Sequence, residues 1–373
     1  MTKIILKIMI PCLNIVYFFI KALPTRNKIV MISRQSNEVG LDFKLLGDEL
    51  NNKYKVVYLC KTLDGGVKSR VKTKVLYFFH MFRQMYHLAT SKVCILDSYC
   101  PTVSILKHKK KLTIIQIWHS VGTMKKFGYT VLGKKEASNM EIAKIMKMHQ
   151  NYSFICASSE AYKKHIASGF GVDDNKIKIY TLPRIDLLKN KKYEKNIRNN
   201  IYNTYPKLKN KQNIVYAPTF RKDESEFNKY LNKLIKCINF SKYNLIVKLH
   251  PLSKVVVNNK KVIVDKKYST FDMLFIADKL ISDYSCIIYE AGVRKIPLYF
   301  YNYDIDKYLD VRGIALDYNE LPGYTQNDAS KLVKDLEKEY DMAYLNKFIN
   351  KYVSNTSNCT KKLVFEIEKY MKK

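Results

Sequence analysis

Acidic residues, arginine, glycine and proline are all scarce in this chain of 373 residues. Its 12 glycines and 9 prolines exclude a collagen-like or linker-dominated protein, and its 47% hydrophobic residues exclude a disordered basic tail. The 33 Asp and Glu face 66 Lys and Arg, so the formal net charge is +33. Because only nine of the basic residues are Arg, which supplies forked contacts to bases and phosphates, the charge does not favour a nucleic-acid partner.

Cysteine pairs and metal-ligand spacings are also absent from the sequence. The eight cysteines are scattered, mostly in apolar stretches, with no CxxC pair and no disulfide-framework spacing. This pattern predicts reduced, buried thiols in a cytosolic protein. No cluster of His, Cys and carboxylate residues has the spacing of metal ligands, so the sequence predicts no metal site.

The excess of lysine has three open explanations. A composition rich in Lys, Asn and Ile is typical of genomic bias and needs no partner. An anionic membrane surface or a polyanionic substrate would also select for positive charge. The first 29 residues hold five basic residues and no acidic one, so part of the charge lies at the N-terminus.

The N-terminal segment combines that charge with an apolar run. Ile8–Ile20 is uncharged and lies between Lys7 and Lys21. By itself the run is shorter than the roughly 20 apolar residues of a transmembrane span, and it lacks the small-residue cleavage site of a signal peptide. It predicts an amphipathic, membrane-associating helix over residues 1–27, with a buried core helix as the alternative.

Short β-branched runs alternate with helical patterns from Lys28 onward, in two series. This alternation predicts two doubly wound α/β domains with parallel sheets, residues 28–200 and 201–345, followed by a C-terminal helix over 346–373. The polar stretch Asn190–Asn213 is the predicted linker. The predicted strands are Ile29–Ser33, Lys55–Cys60, Val93–Asp97, Leu112–Trp118, Ser153–Ser158, Ile214–Ala217, Leu245–Leu249, Val262–Asp265, Leu280–Asp283 and Pro297–Tyr301.

Residues that follow the predicted strands are the first candidates for a site, because open parallel sheets bind ligands beyond the carboxyl ends of their strands. His119 follows one strand, and a histidine there can act as a general base; a structural loop histidine is the alternative. Lys248 and His250 end another strand. Two groups that can carry positive charge on one side of a strand suit an anionic ligand.

Two more strand ends carry groups that suit a phosphate. Thr219 and Arg221 offer a hydroxyl and a guanidinium, with a turn bearing a surface arginine as the alternative. Asp283 ends a strand, and Ser285 is predicted to cap the next helix, whose free N–H groups would face a phosphate. Glu290 lies about one turn further into that helix; a simple cap without a ligand is the alternative here.

In their order and spacing these motifs resemble the CDP-glycerol glycerophosphotransferase family, the teichoic-acid primases and polymerases of Gram-positive cell walls. Two positions depart from the family pattern: Ser120 replaces a Gly or Ala, and Cys286 replaces a Ser that would offer a hydroxyl to the diphosphate. The resemblance covers about residues 28–360 and rests on Trp118–Ser120, Lys125–Gly128, Tyr216–Arg221, Lys248–Pro251, Ser282–Cys286, Pro297–Tyr301 and Arg312–Gly313.

The resemblance implies a GT-B fold, with two Rossmann-like domains facing across a cleft. It also implies transfer of a polyol phosphate from CDP-glycerol or CDP-ribitol to a hydroxyl of a lipid-linked teichoic acid or capsule acceptor, with release of CMP. His119 and His250 would be the catalytic residues. The implied substrate-binding residues are Thr219, Arg221, Lys248, Ser282, Asp283, Ser285, Glu290, Arg312 and Lys125.

Within that set, His119 would take the proton of the acceptor hydroxyl, and Glu290 would bind the ribose. Asp283 is expected to orient its loop rather than act as a base. No resident cofactor is implied, and Mg²⁺ held loosely on the CDP-polyol diphosphate is the one candidate. The N-terminal charge suits the cytoplasmic face of the cell membrane, where a lipid-linked acceptor would lie.

Two other functions remain open from the residues alone. One is a GT-B glycosyltransferase that uses a nucleotide sugar for a cell-surface polysaccharide. The other is a non-enzymatic basic protein that binds a membrane or nucleic acid, although that function gives the histidines at the strand ends no task. The sequence leaves open glycerol or ribitol phosphate, one transferred unit or many, and wall polymer or capsule.

Overall fold

Two parallel six-stranded sheets organise the residues that the structure describes, which are residues 2–62, 70–134 and 139–372 of a computed structural model. The first sheet has the strand order β2-β1-β3-β4-β5-β6. Its strands are β1 Arg26–Ser33, β2 Lys55–Cys60, β3 Ser91–Leu96, β4 Thr113–Gln116, β5 Phe154–Ala157 and β6 Ile177–Ile179.

The second sheet has the order β12-β11-β10-β7-β8-β9, the arrangement of a dinucleotide-binding Rossmann sheet. Its core lies between the sheet and two helices, Ser225–Cys237 and Ala329–Asp335, where Tyr216, Leu231, Ile281 and Leu332 are fully buried. Its strands are β7 Gln212–Ala217, β8 Tyr243–Val247, β9 Val262–Val264, β10 Lys279–Ser282, β11 Leu298–Tyr301 and β12 Tyr324–Gln326.

Helices connect the strands of both sheets, as parallel pairing requires. In chain order they are α1 Thr2–Ile20, α2 Leu41–Leu50, α3 Arg70–Thr90, α4 Pro101–Ile105, α5 Met140–Ile145, α6 Lys163–Phe170, α7 Ile185–Leu188, α8 Lys191–Thr204, α9 Ser225–Cys237, α10 Thr270–Met273, α11 Ile287–Val293, α12 Ile305–Val311, α13 Ala329–Asp335, α14 Met342–Tyr352 and α15 Cys359–Met371.

Two compact units contain these elements, and the chain passes between them more than once. The first unit comprises Met1–His119, Phe127–Arg184 and Ser357–Lys373. The second comprises Ser120–Lys126 and Ile185–Thr356. The segment after His119 therefore belongs to the second unit although the first unit lies on both sides of it in sequence. The C-terminal helix belongs to the first unit although it follows the second.

These units differ from the predicted segments at three places. The predicted boundary after residue 200 lies inside the second unit, which begins again at Ile185. The predicted membrane helix, 1–27, is part of the first unit rather than a segment of its own. The predicted C-terminal segment, 346–373, holds the end of α14 in the second unit and α15 in the first.

The predicted linker is wrong, because most of it forms α8. Asn190 caps this helix, its side chain accepting a hydrogen bond from the Tyr193 backbone N–H at 2.9 Å. The apolar residues Tyr193, Ile197 and Ile201 recur every four residues on one face of α8, and Ile201 is fully buried. Side-chain bonds add to this packing, among them Arg294 to Glu194 at 2.9 Å.

The predicted strands are present, with shifts of one or two residues at most strand ends. The edge strands β6 and β12 lie outside the predicted set, because three-residue strands leave almost no alternation to detect. The sequence pattern also predicts helices over 137–150 and 271–278, and both are shorter in the structure: α10 ends at Met273 and α5 ends at Ile145, after which Lys147 and His149 have positive φ, 46° and 62°. Residues 137 and 138 lie outside the described residues.

The N-terminal helix α1 is longer than the apolar run that predicted it. Because Lys3 and Lys7 are helical too, Lys3–Ile20 is long and apolar enough to cross a membrane by length and composition alone, which corrects the expectation that the segment is too short. The side chains of Leu13 and Tyr17 are nevertheless buried against the first unit. Ile4, Ile8, Ile15, Phe18 and Phe19 are more than half exposed.

Candidate active site

The predicted site residues that follow strands lie at the carboxyl ends of the two sheets, near the point in each sheet where the strand order reverses. In the first sheet this point lies between β1 and β3, and in the second between β7 and β10. Such switch points open a crevice in which α/β sheets bind ligands. Because the two units are separate, each group of residues is described within its own unit.

His119 stands beyond the end of β4 in the first unit, half-buried, with one ring nitrogen engaged. Its Nδ1 lies 3.0 Å from the backbone carbonyl oxygen of Asp97, and the Gln35 side-chain amide lies 3.3 Å from the same nitrogen. The Asp97 carbonyl oxygen can only accept, whereas a flip of the Gln35 amide exchanges its Nε2 for its oxygen, so the shorter contact to Asp97 assigns the proton to Nδ1. The neutral imidazole therefore presents Nε2 as an unprotonated base.

Burial is the main reason that the pKa of His119 falls to about 4. The hydrogen bond to the Asp97 carbonyl raises the pKa, whereas the guanidinium of Arg184 lowers it. That guanidinium is itself paired with the buried carboxylate of Asp42, to which the Arg184 Nε donates at 2.8 Å. His119 is consequently neutral and able to accept a proton throughout the physiological pH range.

Trp118 sets the position of this histidine. It adopts a φ of 65°, which is rare for a large side chain, and its N–H donates to Gln116 Oε1 at 2.9 Å. The indole ring packs against the His119 ring at 4.1 Å between centroids and against Phe127 at 4.9 Å. A strained backbone held by aromatic packing is typical of a functional site.

Arg221 and two carboxylates form the centre of the site in the second unit. The Arg221 Nε and Nη2 donate to the two oxygens of Asp304, both at 2.9 Å. Nη1 donates to Asp283 at 2.6 Å and to the Thr219 carbonyl oxygen at 2.5 Å. Four of the five N–H groups are thus used within the protein, which fixes the position of the guanidinium, and its role toward a phosphate stays a prediction.

Asp283 orients its loop, as expected, and is fully buried. Burial raises its pKa, but Arg221 and the nearby Lys125 outweigh burial and leave the pKa below its usual value. Asp283 also accepts the Thr219 backbone N–H at 2.9 Å. The Thr219 hydroxyl oxygen is buried and has no hydrogen-bond partner among the described residues, so it can serve a ligand.

His250 lies exposed in the turn after β8, and its ring stacks at a tilt on Phe220, 4.9 Å between centroids. Its Nδ1 accepts the Leu252 backbone N–H at 3.2 Å, so the neutral ring carries its proton on Nε2. Partial burial and the charge of Lys125 lower its pKa. His250 therefore offers an N–H donor of the kind that binds a phosphate oxygen.

Lys125 and Arg312 are the cationic side chains of this site that have no carboxylate partner among the described residues. Lys125 belongs to the second unit, where its segment pairs antiparallel with Ile314, next to Arg312. Neither side chain forms an ion pair within the described parts of the chain. Burial is the main cause that lowers the pKa of Lys125 to about 8; Asp283 opposes the shift and Arg312 adds to it.

Lys248 and Ser282 are not available to a substrate, contrary to prediction. The Lys248 ammonium is buried and donates to the Asp265 carboxylate at 2.5 Å, to the Asp265 carbonyl oxygen at 3.1 Å and to the Tyr268 carbonyl oxygen at 2.5 Å. All three of its N–H groups are used. Ser282 donates to the Ala217 carbonyl oxygen at 2.8 Å and ties β10 to β7.

The predicted cap of the following helix is also displaced. Helix α11 begins at Ile287, with Cys286 rather than Ser285 in the N-cap position. The Ser285 hydroxyl lies 3.5 Å from the Ile287 N–H, at the limit of a hydrogen bond. Glu290 is 3% exposed within α11, so its role toward a ribose stays a prediction.

Two residues of these sites lie outside the predicted set, although one rule finds them. Asp97 follows β3 and Asp304 follows β11, both at carboxyl ends of strands. A single charged residue after a strand is too common to stand out without a recognisable motif.

A metal centre is not built into either site as the structure describes them. Among residues 2–62, 70–134 and 139–372, no group of three or more His, Cys, Asp or Glu side chains could hold a metal ion. The chemistry that the described residues supply is a neutral imidazole base in one unit and, in the other, cations and N–H donors for a phosphate.

Known proteins are similar to this chain in sequence and in fold. The chain is 29% identical to the teichoic acid ribitol-phosphate primase of Bacillus spizizenii over 84% of this chain and 83% of that protein. It is also 29% identical to the teichoic acid glycerol-phosphate primase of Bacillus subtilis, over 75% of this chain and 74% of that protein.

Among solved structures, the wall teichoic acid polymerase TagF, in a histidine variant soaked with CDPG, superposes with a TM-score of 0.72 at 19% identity, covering 93% of this chain and 90% of that chain. This likeness shows the two-domain GT-B fold that the sequence predicts. The family model for CDP-glycerol:poly(glycerophosphate) glycerophosphotransferase matches residues 15–367. The chain therefore belongs to the CDP-glycerol:poly(glycerophosphate) glycerophosphotransferase family, as its motifs predict.

Proposed function

We propose that this transferase moves glycerol phosphate, or another polyol phosphate, from a CDP-polyol to a hydroxyl of a lipid-linked teichoic acid or capsule acceptor and releases CMP. The observation that carries the proposal is His119, a neutral base whose proton is fixed on Nδ1 by the Asp97 carbonyl. The relatives, which make or extend teichoic acids, and the TagF crystals soaked with CDPG support the same substrate class.

His119 acts on the acceptor. Its Nε2 takes the proton of the acceptor hydroxyl as the hydroxyl oxygen forms a bond to the phosphorus of the polyol phosphate. The bond between that phosphorus and the bridging oxygen of the CDP-polyol breaks, and this oxygen leaves with CMP. The pKa of about 4 keeps His119 unprotonated before the step, so the base is available at neutral pH.

The second unit binds the donor. Lys125 and Arg312 neutralise charge that grows on the departing CMP phosphate, and the His250 Nε2–H donates to a diphosphate oxygen. The Thr219 hydroxyl, buried without a described partner, completes the set of donors. Arg221, Asp283 and Asp304 hold the loop in place.

Mg²⁺ has no resident site in this proposal and binds, if at all, to the diphosphate of the substrate. Lys125, Arg312 and His250 supply the positive charge and N–H donors that a metal would otherwise provide. CDP-glycerol turnover is accordingly expected to persist, at a reduced rate, when Mg²⁺ is removed with EDTA.

The proposal includes attachment of the protein to the cytoplasmic face of the membrane, and the exposed apolar face of α1 supports contact with lipid. Phe18 and Phe19 are 66% and 69% exposed, and Phe79 of α3, which packs beside α1, is 65% exposed. The opposite side of α1 is attached to the first unit, since Asn14 Nδ2 donates to the Ile105 carbonyl oxygen at 3.0 Å. A helix attached on one side is suited to lie in the interface rather than to span it.

The test of the function is turnover of CDP-glycerol and CDP-ribitol side by side, with a lipid-linked acceptor, following CMP release and product length. Release from at least one donor is expected, and the better donor identifies the polyol. The absence of release from both would overturn the proposal. Thermal shift adds a control against a nucleotide-sugar transferase: cytidine nucleotides should stabilise the protein more than uridine nucleotides.

A further inference from the structure

A basic cavity of about 530 Å³ lies at the amino ends of the strands of the second sheet. The active site lies at their carboxyl ends. The cavity opens between α8, the start of β7, the residues before β10 and the turn after α11, and we call it the basal cavity. Its volume is within the roughly 300–1,000 Å³ of small-molecule sites. The residues that matter here are Arg198, Tyr202, Lys209, Asn210, Arg294 and Lys295.

The basal cavity is at the amino ends of β7 and β10, whereas His250 and Arg221 follow the carboxyl ends of β8 and β7. Opposite ends of the same parallel strands are separated by the length of the sheet. A ligand in this cavity is therefore distinct from the donor in the active site.

Positive charge in the basal cavity is not balanced by its own carboxylates. Asp278 is the acidic lining residue, and one of its oxygens already accepts the Asn213 backbone N–H at 2.7 Å. Arg198 donates to the Phe275 carbonyl oxygen at 2.6 Å and has no carboxylate partner among the described residues. Lys209 and Lys295 are exposed and likewise form no ion pair in the described part of the chain.

Arg294 leaves one buried donor without an acceptor. Its Nη1 donates to the Leu188 carbonyl oxygen and its Nη2 to Glu194, both at 2.9 Å. Its Nε is buried and has no hydrogen-bond partner among the residues that the structure describes. An unsatisfied buried N–H is destabilising, and an anionic acceptor would relieve that cost.

We propose that the basal cavity binds a phosphate ester, with Arg198, Lys209 and Lys295 around the phosphate. Planar guanidinium groups match phosphate oxygens in pairs, and ammonium groups add charge. The Asn210 amide offers a donor and an acceptor to hydroxyl groups, and the Tyr202 ring adds an apolar wall. A stretch of poly(polyol phosphate) and a free nucleotide share this chemistry, and the experiment separates them.

The experiment measures binding of two probes, an oligo(glycerol phosphate) and CMP, to the full chain by titration calorimetry. The protein carries His119→Ala, and no CDP-glycerol is added, because CDP-glycerol is a phosphate ester and would compete for the cavity. At least one probe is expected to bind with a component that the cavity variants below remove. The probe that shows this component identifies the source, and its absence for both probes would overturn the proposal.

Variants locate the binding. The double variant Lys209→Gln, Lys295→Gln is expected to raise the Kd of the probe at least tenfold. Arg198→Gln is expected to raise it by the same factor. The matched control, Lys236→Gln with Lys334→Gln, removes the same charge from exposed positions of α9 and α13 and should change binding less than twofold. Equal weakening in both double variants would assign the binding to net charge and reject the cavity.

The inference goes beyond the proposed transfer reaction and can fail separately from it. CMP release by the Lys209→Gln, Lys295→Gln variant tests the transferase, while calorimetry tests the cavity. If the chain turned over no CDP-polyol, binding of the probes and its loss in the cavity variants would still be measured. If it turned over CDP-glycerol and bound neither probe, only the cavity would be rejected.

Discussion

The Nδ1 of His119 donates to the backbone carbonyl of Asp97, 3.0 Å away, whereas the Nδ1 of His250 accepts a backbone N–H. The two histidines therefore hold opposite tautomers in their neutral forms. His119 presents a lone pair and His250 presents an N–H. A base and a phosphate ligand need these two opposite forms, so the backbone around each ring already separates their tasks.

His119→Ala is expected to lower kcat by about 10²–10⁴-fold, because it removes the general base. The KM for CDP-glycerol should change little, since His119 acts on the acceptor. CMP release under saturating donor measures kcat, and partial rescue by added imidazole would identify the lost group as a base. Unchanged kcat in a variant with an unchanged melting temperature would contradict the role.

The pH dependence should follow two groups with opposite signs. His119 is active when unprotonated, so activity is lost as the pH falls through about 4. Lys125 is active when charged, so donor affinity is lost as the pH rises through about 8. The profile of kcat/KM for CDP-glycerol should thus decline on both sides of neutrality. Lys125→Arg should shift the alkaline decline of kcat/KM to higher pH. An unchanged alkaline decline would exclude Lys125 as its cause.

Lys248→Met should destabilise the protein without a direct effect on the donor. It leaves the buried Asp265 carboxylate without its cation, and removal of one partner from a buried pair costs about 3–5 kcal/mol. Chemical denaturation measures that loss, with Lys260→Met as an exposed control expected to change little. A raised KM for CDP-glycerol at full stability would instead place Lys248 in contact with the donor.

Asp304→Asn should loosen the loop that carries Thr219. The amide keeps one acceptor for Arg221 but loses the charge and the bidentate geometry, at a cost of about 1–3 kcal/mol. We expect a higher KM for CDP-glycerol together with a lower melting temperature. Asp304→Glu, which restores the charge, should recover part of both. A change in kcat alone would contradict a positioning role.

Phe18→Ser with Phe19→Ser should weaken binding to vesicles of phosphatidylglycerol and phosphatidylcholine by at least about tenfold, because two exposed aromatic side chains lose their apolar contact with lipid. Sedimentation of the protein with vesicles measures the effect. Leu309→Ser, at an exposed apolar position of α12, is the control and should bind as the unchanged protein does. Equal binding by all three proteins would exclude α1 as the anchor.

Most of the fold is predictable from the sequence because buried parallel strands consist of continuous runs of apolar residues. Lys55–Cys60 was predicted to the residue. Helix α8 resembles a linker in the sequence because Lys and Asn outnumber its apolar residues, although Tyr193, Ile197 and Ile201 have helical spacing.

Site residues were predictable by type and strand position, but their partners were not. Lys248 and Lys125 look alike in the sequence, yet one ammonium is used up by Asp265 and Tyr268 and the other has no carboxylate partner among the described residues. Asp265 and Tyr268 lie in the turn after β9. No pattern in the local sequence around Lys248 indicates that this turn contacts it. Arg221 likewise needs Asp304, a partner 83 residues away.

Helix α15 belongs to the first unit, where Glu366 receives the ammonium of Lys178 at 2.5 Å, although the second unit precedes it in the chain. The buried side chains of α15, among them Leu363 and Ile367, therefore reach the first unit only after the second unit has been synthesised. Completion of the first unit comes last in translation, although most of its strands are made first.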